Sequence, residues 1–174
     1  KAMSDKADAL AKYGEAATQQ MVLDKAPEIA RALAEPKPIK PPEASENTEE
    51  GAINAAFYFL QLYRYAFITG DTADLAAMSE DACVFCKSTI DNATKLHQGG
   101  GWANPWETNL NDLYYIPPGE GKEYSGIQGT ITSSASTTVR GSGETTEKSA
   151  ETLSFFVALK YADEAWTIKG VSVE

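Results

Sequence analysis

Hydrophobic and polar residues alternate strictly along residues 152–161. The apolar side of the alternation consists of Leu153, Phe155, Val157, Leu159 and Tyr161. Because successive side chains of a strand point to opposite faces, this pattern predicts a strand with one buried face. Ala162 to Ala165 then forms a turn into a second strand, Trp166 to Val173. The apolar positions of that strand change parity across Gly170, which predicts a β-bulge there.

Two earlier stretches predict the rest of the sheet. Leu110 to Ile116 predicts a strand that ends before two prolines. Tyr124 to Arg140 is rich in Thr and Ser and predicts one long polar strand. The four strands together predict a curved antiparallel sheet.

Apolar residues recur at helical spacing in the region before these strands. The longest such series is Ile53, Phe57, Leu60, Arg64 and Phe67. This series predicts a long, largely buried helix. Asn47 or Thr48 is suited to cap its N-terminus, and Gly70 is suited to end it in the left-handed conformation.

Two shorter helices follow the long one. Asp71 is placed to cap a helix over Asp74 to Met78, and Asp81 to Gln98 predicts a third helix, stopped by three glycines. The third helix should turn Val84, Ile90 and Leu96 inward. The predicted fold class is therefore α+β, with three N-terminal helices packed on the curved four-stranded sheet.

The N-terminal region differs in composition from this domain. Mostly small residues recur at helical spacing in residues 1–34, which predicts a helical arm or tether. Residues 35–43 contain four prolines and predict an extended linker. The folded domain should then span 44–174. The chain begins at Lys1 rather than at Met, so a signal or membrane anchor could lie upstream.

The charge of the chain argues against two classes of partner. The net charge is −10, and no cluster of Lys or Arg is present. An acidic surface repels nucleic acid and anionic lipid headgroups, so we expect no nucleic-acid partner and membrane contact only through an anchor. The most apolar stretch, Ala52 to Ile68, is interrupted by polar residues and is too short to span a membrane.

Cys83 and Cys86 are the only cysteines of the chain. Residues three apart on a helix lie within the Cα separation that a disulfide requires. A structural zinc site needs four ligands, but the chain has a single histidine, His97. We predict a structural disulfide, and reduced core thiols or a redox or metal role are the alternatives. A structural disulfide would place the protein outside the cytoplasm.

Three helices followed by a bent four-stranded meander resemble the nuclear transport factor 2-like cone fold of SnoaL-like proteins. A more specific resemblance, to a family of actinobacterial lipoproteins of unknown function, rests on Pro42 to Ala52, Tyr65 to Thr72, Leu75, Met78-Ser79, Cys83 to Cys86 and Gly100 to Trp102. It implies export and attachment to the outer face of a membrane. It implies no catalytic residues.

Few residues are candidates for chemistry. His97, Asp91 and Asp112 could act in acid–base catalysis, although a surface or helix-capping role suits His97 as well. Arg64 lies in an apolar helix and must pair with a carboxylate or bind an anion. The residues that we expect to line a pocket or contact a partner are Arg64, Tyr65, Trp102, Trp106 and Tyr115.

The leading hypothesis is a non-enzymatic, membrane-tethered module of an actinobacterial cell envelope that binds a small ligand or an envelope protein. We expect no cofactor and no metal, because phosphate-binding and metal-binding motifs are absent from the sequence. The alternative is a SnoaL-like, cofactor-independent pocket enzyme, an isomerase or hydrolase. A homodimer through the sheet is a further hypothesis.

Overall fold

The computed structural model describes residues 35–174, and the predicted arm, 1–34, lies outside them. A 3₁₀ turn, Pro42–Ser45, precedes three helices, α1 (Glu49–Thr69), α2 (Ala73–Ala77) and α3 (Val84–Gln98). Seven strands follow: β1 (Trp102–Ala103), β2 (Thr108–Ile116), β3 (Ser125–Ser133), β4 (Ser136–Val139), β5 (Thr145–Lys148), β6 (Glu151–Ala162) and β7 (Ala165–Val173).

Helix α1 begins and ends at residues that the sequence identifies. The Thr48 hydroxyl accepts a hydrogen bond from the Gly51 amide at 2.9 Å, which satisfies one free donor of the first turn. Gly70 ends the helix with φ 81°, a conformation that costs a residue with a Cβ atom more than glycine. The helix buries Phe59 and Leu62 completely or nearly so. Phe57, which we expected to face inward, is 36% exposed.

Helix α3 begins three residues later than predicted. The backbone around Glu80 is bonded to strand β7, because the Glu80 amide donates to the Ile168 carbonyl at 2.9 Å and the Ile168 amide donates to the Met78 carbonyl at 2.7 Å. This part of the chain is therefore held against a strand, and Cys83 becomes the N-cap of α3. Val84, predicted to be inward, occupies the first helical position and is 80% exposed. Helix α2 begins one residue earlier than predicted, with Thr72 rather than Asp71 at its N-cap, and the Asp71 carboxylate accepts a hydrogen bond from the Ala73 amide at 3.1 Å.

The predicted antiparallel sheet is present, with strand order β2-β3-β6-β7. In β7, Gly170 pairs with Ala158 and Ile168 with Leu159, which leaves Lys169 unpaired. The bulge therefore lies beside Gly170, as predicted. A second bulge in β2, where Asp112 has φ 52°, was not predicted. Bulges bend a strand and increase its twist, so they contribute to the curvature of the sheet.

A second antiparallel sheet, with order β1-β4-β5, was missed from the sequence. The predicted long strand Tyr124 to Arg140 is broken at Ser134 and Ala135. Its first part, β3, belongs to the four-stranded sheet and its second part, β4, belongs to the small sheet. The break lets one polar segment contribute to two sheets.

The main core lies between α1, α3 and the inner face of the large sheet. Its fully buried residues include Phe59, Leu75, Ile127, Val157, Leu159 and Ile168. A smaller cluster, Ile68, Trp102 and Val139, joins α1 to the small sheet. The 3₁₀ turn is fixed to the large sheet, because Trp166 Nε1 donates to the Glu46 carbonyl at 2.8 Å and the Tyr161 hydroxyl donates to the Ser45 carbonyl at 3.1 Å.

Candidate ligand cavity

A cavity of about 560 Å³ opens where the large sheet, the small sheet and helix α1 meet. It receives inner-face residues from the last part of β3, the first part of β6 and the last part of β7. Elsewhere on the same inner face, the middle of β6 packs in the main core. The cavity is therefore a gap between this region of the inner face and the helices, which do not pack directly on it.

One side of the cavity is apolar. Leu60 and Phe67 come from α1, where they belong to the helical series found in the sequence, and Phe85 comes from α3. The sheet supplies Leu153, Phe155, Val171 and Val173. Such a surface releases ordered water when an apolar molecule covers it, which favours binding.

Another part of the lining is rich in hydroxyl groups. Its residues, mostly from the small sheet and the turns around it, include Thr108, Ser133, Ser136, Thr138, Thr146 and Ser149. Each hydroxyl can donate one hydrogen bond and accept others, so this part of the lining can adapt to different polar groups.

Lys148 and Glu151 are the charged residues among those that line the cavity. Their side chains form an ion pair with each other across the turn between β5 and β6. The side chain of Lys148 is 64% exposed and that of Glu151 is 28% exposed. The pair therefore lies toward solvent and adds no net charge to the lining.

Tyr63 contributes a phenol to the lining from helix α1. Its ring packs against Phe67 and Phe85, with centroid distances of 5.1 and 5.9 Å. Burial raises the pKa of the Tyr63 hydroxyl, while nearby Lys148 lowers it and Glu151 raises it. The hydroxyl thus lies within electrostatic reach of the Lys148–Glu151 pair.

Among the five residues predicted to line a pocket or contact a partner, Trp106 lines the cavity. Trp102 is buried in the small cluster, and its Nε1 donates to Asn104 Oδ1 at 3.0 Å. The Tyr115 hydroxyl is hydrogen-bonded to Ser125 Oγ at 3.1 Å beside the main core. Tyr65 is half-buried on α1 and does not contribute to the cavity lining.

Arg64 pairs with a carboxylate, which is one of the two roles expected for it. Its Nη2 lies 2.7 Å from Glu35 Oε1, and its Nε donates to the Trp106 carbonyl. The two charged side chains are only 22% and 13% exposed. Arg64 therefore joins the segment before the 3₁₀ turn to the loop that carries Trp106, outside the main cavity.

Cys83 and Cys86 form a disulfide, as predicted, with a Cα–Cα distance of 5.2 Å. Both residues are fully buried. Cys83 Sγ also accepts a hydrogen bond from the Cys86 amide at 3.2 Å, in the position of a helix cap. The bond therefore belongs to the packed N-terminus of α3, away from solvent.

The acid–base candidates from the sequence do not line the cavity. His97 Nε2 donates to the Phe67 carbonyl at 2.9 Å, so the ring satisfies a carbonyl in the last turn of α1. This is a capping role, directed at a neighbouring helix. Asp91 and Asp112 are exposed, the first on α3 and the second in the bulge of β2.

The sequence analysis did not select Tyr63, Lys148 or Glu151 as lining residues. Helical spacing from Leu60 to Phe67 places Tyr63 on the same side of α1 as both, and this was the usable signal. Within residues 35–174, no group of three or more His, Cys, Asp or Glu residues is arranged to hold a metal ion. None of the helices in that range is both long and apolar enough to cross a membrane.

Comparison with solved structures identifies the fold. The intermembrane space region of the chloroplast protein ARC6 is 13% identical, with a TM-score of 0.57 over 74% of this chain and 97% of that one. The association domain of C. elegans CaMKII is 9% identical, with a TM-score of 0.48 over 72% and 94%. An uncharacterized protein with a cystatin-like fold from Caulobacter vibrioides is 9% identical, with a TM-score of 0.45 over 71% and 88%.

The chain is thus an α+β domain with helices packed on an antiparallel sheet, and it shares this fold with the ARC6 region. This confirms the predicted fold class. No curated protein matches the chain. The chain belongs to a family of unknown function (DUF6318), whose model matches residues 24–172.

Proposed function

We propose that the domain is a non-enzymatic binding module that takes a small molecule into its cavity. The observation that carries the proposal is the cavity itself, about 560 Å³ beside a well-packed core. Small-molecule sites typically measure about 300–1,000 Å³ and combine an apolar lining with a few polar groups. The lining residues described above have that composition.

We further propose that the module works outside the cytoplasm, tethered to the membrane of an actinobacterial cell envelope. The Cys83–Cys86 bond supports this location, because structural disulfides persist mainly in oxidising compartments. The lipoprotein resemblance of the sequence supports the tether. Fractionation of the native cells, followed by intact mass measurement of the protein from each fraction, tests both points. Recovery only in the cytosol, with two free thiols, would contradict this location.

Cavity binding can be tested by filling the cavity with a larger side chain. Val173 lines it and is 42% exposed, whereas Val84 is 80% exposed and does not line it. We expect Val173→Trp to weaken binding of the uncharged fluorophore N-phenylnaphthylamine by about tenfold or more, and Val84→Trp to leave it within about twofold.

Urea unfolding of both variants checks that each is folded. Thr138→Trp, in the hydroxyl-rich part of the lining, is a second variant that should fill the cavity. Equal binding by the cavity variants and Val84→Trp would place the fluorophore elsewhere. Absence of binding to the unmodified chain would count against the proposal itself.

The alternative, a cofactor-independent pocket enzyme, has one observation in its favour. Tyr63, Lys148 and Glu151 bring three ionisable groups to the same cavity. The groups on which the sequence argument for catalysis depended, His97, Asp91 and Asp112, lie outside it. The binding module therefore has the stronger support.

A further inference from the structure

We infer that the ligand is an uncharged, largely apolar molecule carrying a carbonyl or similar acceptor oxygen, which takes a hydrogen bond from the Tyr63 hydroxyl. This inference rests on the proposed function and specifies the chemistry of the molecule that the cavity holds. It follows from the charge of the lining, from the lack of a hydrogen-bond partner for the Tyr63 hydroxyl within residues 35–174, and from the distribution of apolar and polar residues.

The charge of the lining selects an uncharged ligand. Lys148 and Glu151 already neutralise each other, and the remaining lining is apolar or hydroxylic. A charged ligand would lose its hydration without gaining a free partner, or would have to break the existing pair. An uncharged ligand meets neither cost.

Tyr63 supplies the specific polar contact. The hydroxyls of Tyr115, Tyr124 and Tyr161 each bond to another residue of the domain, whereas that of Tyr63 has no such bond within residues 35–174. A tyrosine hydroxyl has an ordinary pKa of about 10, so it keeps its proton at neutral pH and is a hydrogen-bond donor, and burial raises the pKa of Tyr63 further. A ligand that displaces water from it must supply an acceptor, or the donor is left unpaired at a cost.

The surroundings of Tyr63 favour a flat apolar group next to that acceptor. Its ring packs with Phe67 and Phe85, so three aromatic rings form one wall of the cavity. Aromatic and other planar groups pack favourably on such rings. The hydroxyl-rich part of the lining, which includes Ser136 and Thr138, can then receive other polar groups of the ligand.

The experiment compares three fluorophores on the full chain: prodan, an uncharged naphthalene ketone; N-phenylnaphthylamine, which is uncharged and has no acceptor oxygen; and anilinonaphthalene sulfonate, an anion. Each is titrated into the unmodified chain, Tyr63→Phe and Tyr114→Phe. Tyr114 is 68% exposed and does not line the cavity, so its variant is a matched control.

We expect Tyr63→Phe to weaken prodan binding about three- to tenfold and to change N-phenylnaphthylamine binding less than about twofold. The bound emission of prodan should move to shorter wavelength, because its ketone loses a hydrogen bond. Tyr114→Phe should change neither probe. The sulfonate should bind at least about tenfold more weakly than N-phenylnaphthylamine.

Two results would overturn the inference while leaving cavity binding intact. One is an equal effect, or no effect, of Tyr63→Phe on the two uncharged probes. The other is binding of the sulfonate as tight as that of N-phenylnaphthylamine. Failure of both uncharged probes to bind the unmodified chain would instead contradict the proposed function.

Discussion

Reduction of the Cys83–Cys86 bond should destabilise the domain only moderately. The bond closes a loop of four residues, since its sequence separation is 3. The chain-entropy relation for such a loop gives about 6 cal/mol/K, or about 1.9 kcal/mol at room temperature. For a domain of this size, the loss corresponds to a decrease in Tm of about 5–8 °C.

The measurement is urea unfolding of the oxidised and the reduced chain. Both sulfurs are fully buried, so reduction should be done in denaturant, with reductant kept present during refolding. The two thiols then occupy almost the same space as the disulfide. The difference in unfolding free energy between the two samples therefore measures the contribution of the cross-link. A double variant, Cys83→Ala with Cys86→Ala, shows whether the reductant itself alters stability.

Thiol labelling before and after reduction confirms the redox state of each sample. A loss above about 4 kcal/mol would show that the bond holds more of the structure than the N-terminus of α3. If labelling shows that both thiols are free and the unfolding free energy is nevertheless unchanged, the entropic argument is wrong.

Three further predictions concern stability and are measured by urea or thermal unfolding. Gly70→Ala should lower the unfolding free energy by about 2–3 kcal/mol, because φ is 81° and the new Cβ would lie 2.7 Å from a ring carbon of His97. The control, Gly121→Ala, has φ 70° but no atom near the new Cβ, so it should lower the unfolding free energy by about 1 kcal/mol. Equal losses for the two glycine variants would show that contact with the His97 ring does not contribute. Arg64→Ala should lower the unfolding free energy by about 2–4 kcal/mol, because it leaves the mostly buried Glu35 carboxylate and the Trp106 carbonyl unpaired. The control, Arg140→Ala, removes an exposed ion pair and should lower it by less than about 0.5 kcal/mol. Removal of residues 1–34 should preserve cooperative unfolding, and a broad, non-cooperative transition would show that the domain boundary is wrong.

The large sheet and α1 were predictable because their signals are local. The alternation from Leu153 to Tyr161 requires one buried face, and the parity change at Gly170 requires a bulge. The small sheet had no such signal. Strand β1 has only two residues and every residue of β5 is exposed, so neither shows alternating burial.

Phe57 and Val84 were wrongly predicted to face inward, because their burial depends on tertiary contacts that the sequence period does not reveal. Helix α1 turns its small residues, such as Ala52 and Ala56, toward the closest neighbours, because only small side chains fit where backbones approach. Part of the apolar stripe then faces the cavity, and Phe57 faces solvent. The position of Val84 depends on where α3 starts, which the backbone bonds of Glu80 to β7 determine.

The cavity was predictable only in outline. A cone fold indicated that a pocket could exist, but the pocket is formed by residues far apart in sequence. Lys148 and Glu151 have the sequence pattern of ordinary surface charges, and only the turn between β5 and β6 brings them to the mouth of the cavity. Of the five residues predicted to line a pocket or contact a partner, Trp106 alone lines this cavity.

The inner face of β6 is divided between two roles. Glu151 and Leu153 line the cavity, Phe155 lines it and is also buried in the core, and Val157 and Leu159, one and two pleats further along, are fully buried in the core. Evolutionary change at Glu151 and Leu153 can therefore alter what is bound with little effect on folding, whereas change at the other three positions is constrained by packing. Homologues that share this core can thus differ in their ligands, so a molecule identified for one of them should not be transferred to another on fold alone.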